Sequence, residues 1–369
     1  MNLGTHRLAT VGAAVAALTL TISACSGAPA TTSPAATSSP STTASEPAKP
    51  EALTINTFSG VFQENLEEFV VKPFEADTGI RINLVTSAPP LATLQAQGDN
   101  PEIDLFIAGD PQRMLAEDAG LLQPFDPAVV TNAADLFDVA RKSDSAVVIN
   151  YASQGLVYDT TKLATAPTSW FDLFDLDLPK QIIVRAPDAQ NTVSWLSLMA
   201  YTLNGAWPDS IDDYDEVLAR VATDLKPNLY AAASSSGDIT TAMTGGEVAV
   251  GVWQDSQVLA ANANGSKLAY AAPKEGSIPV ATMVALTKTP NKYWAEVFMN
   301  YLLDPEAQAQ WAQSGGYGPS NSATVIPDDL AAQITYGEDE VNALVQIPWA
   351  QIVPLTTELT EKFNAAIAS

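Results

Sequence analysis

One cysteine and one histidine are all that this 369-residue chain carries, Cys25 and His6, and both lie in its first 25 positions. The remainder therefore has no thiol nucleophile, no Ser-His-Asp triad, no disulfide and no zinc site of the usual His/Cys kind. Basic residues are scarce too. Against 42 Asp and Glu stand 17 Lys and Arg, a formal charge of −25. A surface so acidic repels nucleic acid and anionic lipid and attracts cations, which argues against DNA, RNA or polybasic membrane partners. The chain has no P-loop. Enzyme chemistry would be left to carboxylates, Ser-Lys pairs or an oxygen-ligated metal, and no cofactor or metal is expected.

What is present begins with a leader. His6 and Arg7 precede an apolar run from Leu8 to Ile22, followed by Ser23-Ala24-Cys25. A run of about 15 residues is short for a bilayer span, and its basic start and small-residue exit are those of a signal peptide over residues 1–24. Ile22-Ser23-Ala24-Cys25 resembles the bacterial lipobox, whose Cys carries lipid. A diacylglyceryl group plus an N-acyl chain would hold the protein on a membrane, since single chains bind only marginally. Residues 25–50 are almost entirely Ser, Thr, Pro, Ala and Gly, without apolar periodicity, and read as a solvated tether.

After residue 50 the pattern alternates. Leu53–Thr57 reads as a strand and Phe58-Ser59-Gly60 as a turn. Phe62, Leu66, Phe69, Val70 and Phe74 recur at helical spacing up to Gly79, and Ile80, Ile82 and Leu84 alternate as a second strand. Ile103–Ile107 is a third. Asp110-Pro111 then suits a cap followed by proline in the first turn, and Gly120 ends that helix. Such an order indicates a parallel sheet covered by helices on both faces. Ala146–Asn150 and Gly155–Tyr158 read as two short strands around Tyr151-Ala152-Ser153-Gln154. A second αβ set follows: a strand at Ile182–Val184, helices over Val193–Leu203 and Val217–Val221, a strand at Leu229–Ala231, and Ser234 to Asp238 opening a short helix.

The stretch Val248–Leu286 organises the rest. A strand ends at Trp253, and Gln254-Asp255-Ser256 opens a helix. Asn264-Gly265 turns into a strand ending at Pro273-Lys274-Glu275-Gly276, and Met283–Leu286 is another strand. Ligands of open α/β sheets sit where strand ends give way to helix starts, the place of Trp253 and Asp255. Taken alone, Trp253 reads equally well as core and Asp255 as a helix cap.

These segments, with Asp304-Pro305-Glu306-Ala307-Gln308, Gly316-Tyr317-Gly318-Pro319-Ser320-Asn321 and Ala166-Pro167-Thr168-Ser169-Trp170, resemble the spermidine/putrescine-binding class of bacterial solute receptors, the capture subunits of ABC importers. The resemblance covers nearly all of the chain after residue 50. It implies a two-lobed α/β fold of the periplasmic-binding-protein type, two parallel or mixed sheets flanked by helices around a hinged cleft. Lobe 1 is expected over residues 51–148 and 279–320, lobe 2 over 149–278 and 321–369, with a hinge at Tyr151. The expected partners are a small-molecule ligand, permease and ATPase subunits and, through the lipid, the membrane, with the protein itself a monomer.

The site residues are also what the resemblance implies. Trp253 would stack on the ligand's methylene chain, Tyr336 would form another wall, Tyr151 would sit at the hinge, and Asp188 would face an ammonium group. Phe58, Ser59, Asp110, Asn191, Ser235, Asp255, Thr282 and Trp349 complete the candidate set. Departures from the polyamine binders lie at the acids. Val280 and Thr282 stand where an aromatic and an Asp are usual, Phe58-Ser59-Gly60 where Glu is usual, and Asn191 in place of a second acid. A buried ammonium without carboxylates costs several kcal/mol, which argues against a ligand of two or three charges.

Three readings thus stay open: a receptor for a polyamine-like amine, the same fold holding a carboxylate or phosphonate at helix N-termini near Ser59 or Ser235, and an extracytoplasmic carboxylate-dependent enzyme such as a glycosidase. The acids show no localised pair; Asp212-Asp213 and Asp328-Asp329 have the look of surface charge. A receptor reporting to a sensor is a variant of the first.

Overall fold

Eleven strands, most of them short runs of β-branched and apolar residues, form in a computed structural model that describes residues 46–86, 90–187 and 190–368. The leader, Cys25 and the tether before residue 46 lie outside the described residues. The strands are β1 (Ala52–Asn56), β2 (Arg81–Val85), β3 (Leu105–Ala108), β4 (Arg141–Ser143), β5 (Ala146–Asp159), β6 (Ile182–Arg185), β7 (Leu229–Ala233), β8 (Val250–Gln254), β9 (Leu268–Ala271), β10 (Ile278–Leu286) and β11 (Gly318–Pro319). β1 pairs in parallel with β2 and β3, and β6 in parallel with β7 and β8. Each parallel block is the outcome of strand-helix-strand order, since parallel neighbours need a long crossover.

The two blocks are not separate sheets. β5 and β10 run antiparallel between them, giving one sheet in the order β2-β1-β3-β10-β5-β8-β6-β7. The expectation of two short strands around residues 151–154 is corrected by a single strand of 14 residues, Ala146–Asp159, buried along almost its whole length. Nothing in Tyr151-Ala152-Ser153-Gln154 breaks a strand, and both faces of this segment are covered, so pairing continues. Its first half pairs with β10 and its second with β8 and β9.

Apolar side chains gather on either side of that long strand. One core joins Leu53, Ile55, Phe74, Ile107, Val148 and Phe298 beneath β1 to β3. A second joins Trp170, Trp195, Val217, Val252 and Phe363 beneath β6 and β8. A smaller one on the opposite face holds Ile183, Met243, Val248 and Trp253. Trp170, fully buried, donates its indole N–H to the Gly276 carbonyl at 2.9 Å, while Glu275 accepts from the Ser169 hydroxyl at 2.6 Å. This ties the Ser-Trp segment to the Pro-Lys-Glu-Gly turn, so both serve packing. Truncating such a side chain to Ala costs about 3–5 kcal/mol. Among the described residues no helix is long and apolar enough to cross a membrane.

Candidate ligand-binding cleft

β3 and β6 belong to opposite parallel blocks, and each runs at its C-terminal end into a helix, Asp110–Asp118 and Gln190–Asn204 respectively. The two junctions face each other. A β carbon at Gly109 would lie 2.3 Å from Oε1 of Gln190, so only glycine leaves room for this approach. Between the junctions lies a narrow cleft of about 30 Å³, well below the usual range for small-molecule sites. Its lining comes from both junctions (Asp110, Gln190, Asn191, Ser194), from the linking strands (Tyr151, Gln154, Val280) and from the C-terminal segment (Gln346, Trp349).

Polar groups on the floor are held in place. Gln154 donates its amide to the Asn191 carbonyl at 2.8 Å and accepts from the Ser194 hydroxyl at 2.9 Å, pinning β5 to the start of the Gln190 helix. Asp110 is engaged as well. Its Oδ1 accepts from Nε of Arg113 at 2.8 Å and lies 2.7 Å from the Arg113 terminal nitrogen, with Lys142 Nζ 4.0 Å from Oδ2. Arg113 also pairs with Glu117, which accepts from Ser143 and Ser145; burial pushes the Glu117 carboxyl up, but the two serines and Arg113 together hold it below the usual range. Asp110 is thus the acid between two cations and not a vacant seat for an ammonium.

Tyr151 contributes a different group. It is 2% exposed, it lines the cleft, and its hydroxyl has no hydrogen-bond partner among the described residues. Burial, with the nearby Asp110 charge, raises its phenol far above the ordinary value, so it acts as a neutral donor.

Of the twelve residues proposed from sequence, the cleft brings together Asp110, Tyr151, Asn191 and Trp349. Asp188 lies outside the described residues. The others are placed elsewhere. Trp253, 3% exposed, is packed with Val157, Ile183 and Met243 instead of standing in the cleft, because the strand carrying it is covered on that face by the Ser236–Thr244 helix. Asp255, 6% exposed, accepts from the backbone N–H groups of Ser153 and Thr335 (both 2.9 Å), from the Thr335 hydroxyl (2.7 Å) and from its neighbour Ser256 (2.7 Å). These four donors fill the carboxylate, so it ties chain segments together and has no lone pair to spare for a ligand. Thr282 is buried in β10 opposite Asn150. Tyr336 donates to the Thr324 carbonyl at 2.9 Å and packs on a satellite cluster with Ile326 and Ile334. Ser235 caps the Ser236–Thr244 helix, accepting from Asp238 N–H at 3.1 Å. Phe58 and Ser59 are exposed on the turn after β1, the Phe58 ring set edge-on to Phe62 at 5.4 Å.

Sequence reasoning missed Lys142, Gln154, Gln190 and Ser194. Arg141-Lys142-Ser143 looks like a solvated charge run, and only its position directly before a continuous apolar strand hinted otherwise. Among the described residues no group of three or more His, Cys, Asp or Glu is placed to hold a metal.

A family model for bacterial extracellular solute-binding proteins matches residues 70–336. The gamma-aminobutyric acid-binding protein of Pseudomonas aeruginosa is 26% identical over 333 residues, 87% of this chain and 92% of that one. The putrescine-binding periplasmic protein of Escherichia coli is 26% identical over 281 residues, 69% of this chain and 74% of its own length. Among solved structures, the Atu4243-GABA receptor superposes with a TM-score of 0.72 at 20% identity, covering 86% of this chain and 98% of that one, which establishes the two-lobed α/β fold. By its sequence match over most of its length and by the architecture that match carries, the chain belongs to the bacterial extracellular solute-binding protein family.

Proposed function

We propose that this chain is the extracytoplasmic capture subunit of an ABC importer, closing on a small polar metabolite that carries an amine and presenting it to a membrane permease. The observation that carries this reading is the meeting of two strand-to-helix junctions from opposite parallel blocks, at Gly109-Asp110 and Gln190-Asn191, in a chain of the solute-binding family. A ligand bridging both junctions favours the closed arrangement by its differential affinity for it. The amine follows from the likeness to relatives named for gamma-aminobutyric acid and putrescine. In this reading the lobes are residues 51–148 with 279–320 and 149–278 with 321–369, and β5 and β10 are the hinge strands. The protein works as a monomer, tethered through lipid on Cys25 to the outer face of the cell membrane, and ATP is hydrolysed on a separate subunit.

The cleft is read as non-catalytic. Asp110 is its only carboxylate among the described residues and is held by Arg113 and Lys142, so those residues do not supply the paired acids of a glycosidase. The test is a thermal-shift screen of the purified protein across amines, amino acids, phosphonates and sugars. A true ligand at a hundred times its Kd stabilises by about 2.7 kcal/mol. No shift from any small polar metabolite, or turnover of a glycan or ester, sinks the proposal.

A further inference from the structure

Lys142 occupies an unusual place in the sheet. β4 pairs with β5 through Arg141 opposite Val147 and Ser143 opposite Ala146, so two steps along β4 match one along β5 and Lys142 is the extra residue of a bulge. Bulges re-aim side chains, and this one sends a lysine into the cleft wall beside Asp110, with only 18% of its side chain exposed. Burial strips water from the ammonium and the Arg113 charge opposes it, so its affinity for a proton is lowered although Asp110 pulls the other way. Asp110 cannot satisfy it fully, being bound at shorter range to Arg113. The same cleft holds the Tyr151 hydroxyl, buried and without a partner among the described residues. The Gln190–Asn204 helix adds the positive end of its dipole, with no acid in its first turn. Charged donor, neutral donor and helix terminus together suit an anion.

We propose that Lys142 and Tyr151 form an anion-reading subsite by which this receptor selects a short ω-amino acid, bearing one carboxylate or phosphonate head, over a diamine of equal length. The inference rests on the receptor reading and narrows its ligand. 4-Aminobutanoate and 1,4-diaminobutane share the same four-carbon chain and differ only at one end. A second ammonium at that end meets Lys142; a carboxylate there meets three favourable partners.

The experiment is calorimetric titration with a series of ω-amino acids of three to six carbons, their aminophosphonate counterparts and the matching diamines. The wild-type protein, Lys142→Met, Lys142→Arg and Tyr151→Phe are compared. Wild type is expected to bind one or more ω-amino acids or aminophosphonates and to discriminate against the matching diamine by about 100-fold or more. Lys142→Met should weaken the anionic ligand about 10- to 100-fold and raise or leave unchanged the diamine, and Lys142→Arg should recover part of the loss. Tyr151→Phe should weaken the anionic ligand about 2- to 10-fold with no fall in the melting temperature of the free protein, since the hydroxyl has no partner to lose among the described residues. Preference for the diamine, an equal loss of both ligand classes in Lys142→Met, or binding of no ω-amino acid or aminophosphonate overturns the subsite. In the first two cases the receptor reading survives; it fails only if the broad solute screen is also silent.

Discussion

Gly109 governs how near the two strand-to-helix junctions come. Its φ of −85° suits any residue, so the constraint is space: an added methyl would meet the Gln190 amide at 2.3 Å. Because that amide is the end of a flexible side chain, Gly109→Ala should let Gln190 swing aside without harming the fold, while the closed contact across the cleft is weakened. We expect ligand affinity to fall about tenfold, ~1.4 kcal/mol, with the melting temperature of the free protein unchanged. Titration and calorimetry on the same preparation check this, and an unchanged affinity would show that the contact plays no part in closure. At this scale the sequence was half informative. Tyr151 and Asn191 stand out because one is a large aromatic at a suspected hinge and the other departs from an acidic pattern. Lys142 could not be picked out, since its orientation depends on a one-residue slip in pairing that residues of like character on either side do not reveal.

The Asp255 knot acts on elements. Ser153 lies 102 residues before it in β5 and Thr335 lies 80 after it, so one carboxylate fastens the start of the Asp255–Ala263 helix to two distant segments. Burial, outweighing four hydrogen bonds, pushes its carboxyl up to about 6; Tyr270 and Tyr317 are the titratable groups that feel its charge. The sign follows from proton counts. Between the unfolded value near 4 and about 6 the folded state binds the proton better, so this group's contribution to stability falls as pH rises through that window, by up to ~3 kcal/mol. Asp255→Asn should remove that slope and, by turning an amide N–H toward a backbone N–H, cost about 1–3 kcal/mol. Urea midpoints measured from pH 4 to 7 in both proteins decide it; parallel curves would refute the assignment. From sequence this residue was legible as a helix cap or a ligand contact, and its bond to Ser256 N–H is indeed local. The partners that matter lie far along the chain and leave no local trace.

Across the molecule, the 14-residue β5 belongs to both halves, pairing with β10 along its first part and with β8 and β9 along its last. Neither half can lose its sheet without stripping an edge from its neighbour. Equilibrium unfolding in urea should therefore follow one transition by tryptophan fluorescence and by far-UV circular dichroism, despite a length at which several steps are common. Two resolved midpoints would mean that the halves unfold independently. The alternation of strand and helix, the turn glycines and the scarcity of His and Cys were enough to specify the class of architecture and to discard most enzyme chemistry, because periodicity and composition are local properties that survive in a linear text. The continuity of the sheet, the sealing of Trp253 and the arrival of Lys142 beside Asp110 depend on strand register and on which faces are covered. Those are settled only when residues a hundred positions apart compete for the same neighbours, and no window along the chain contains that contest.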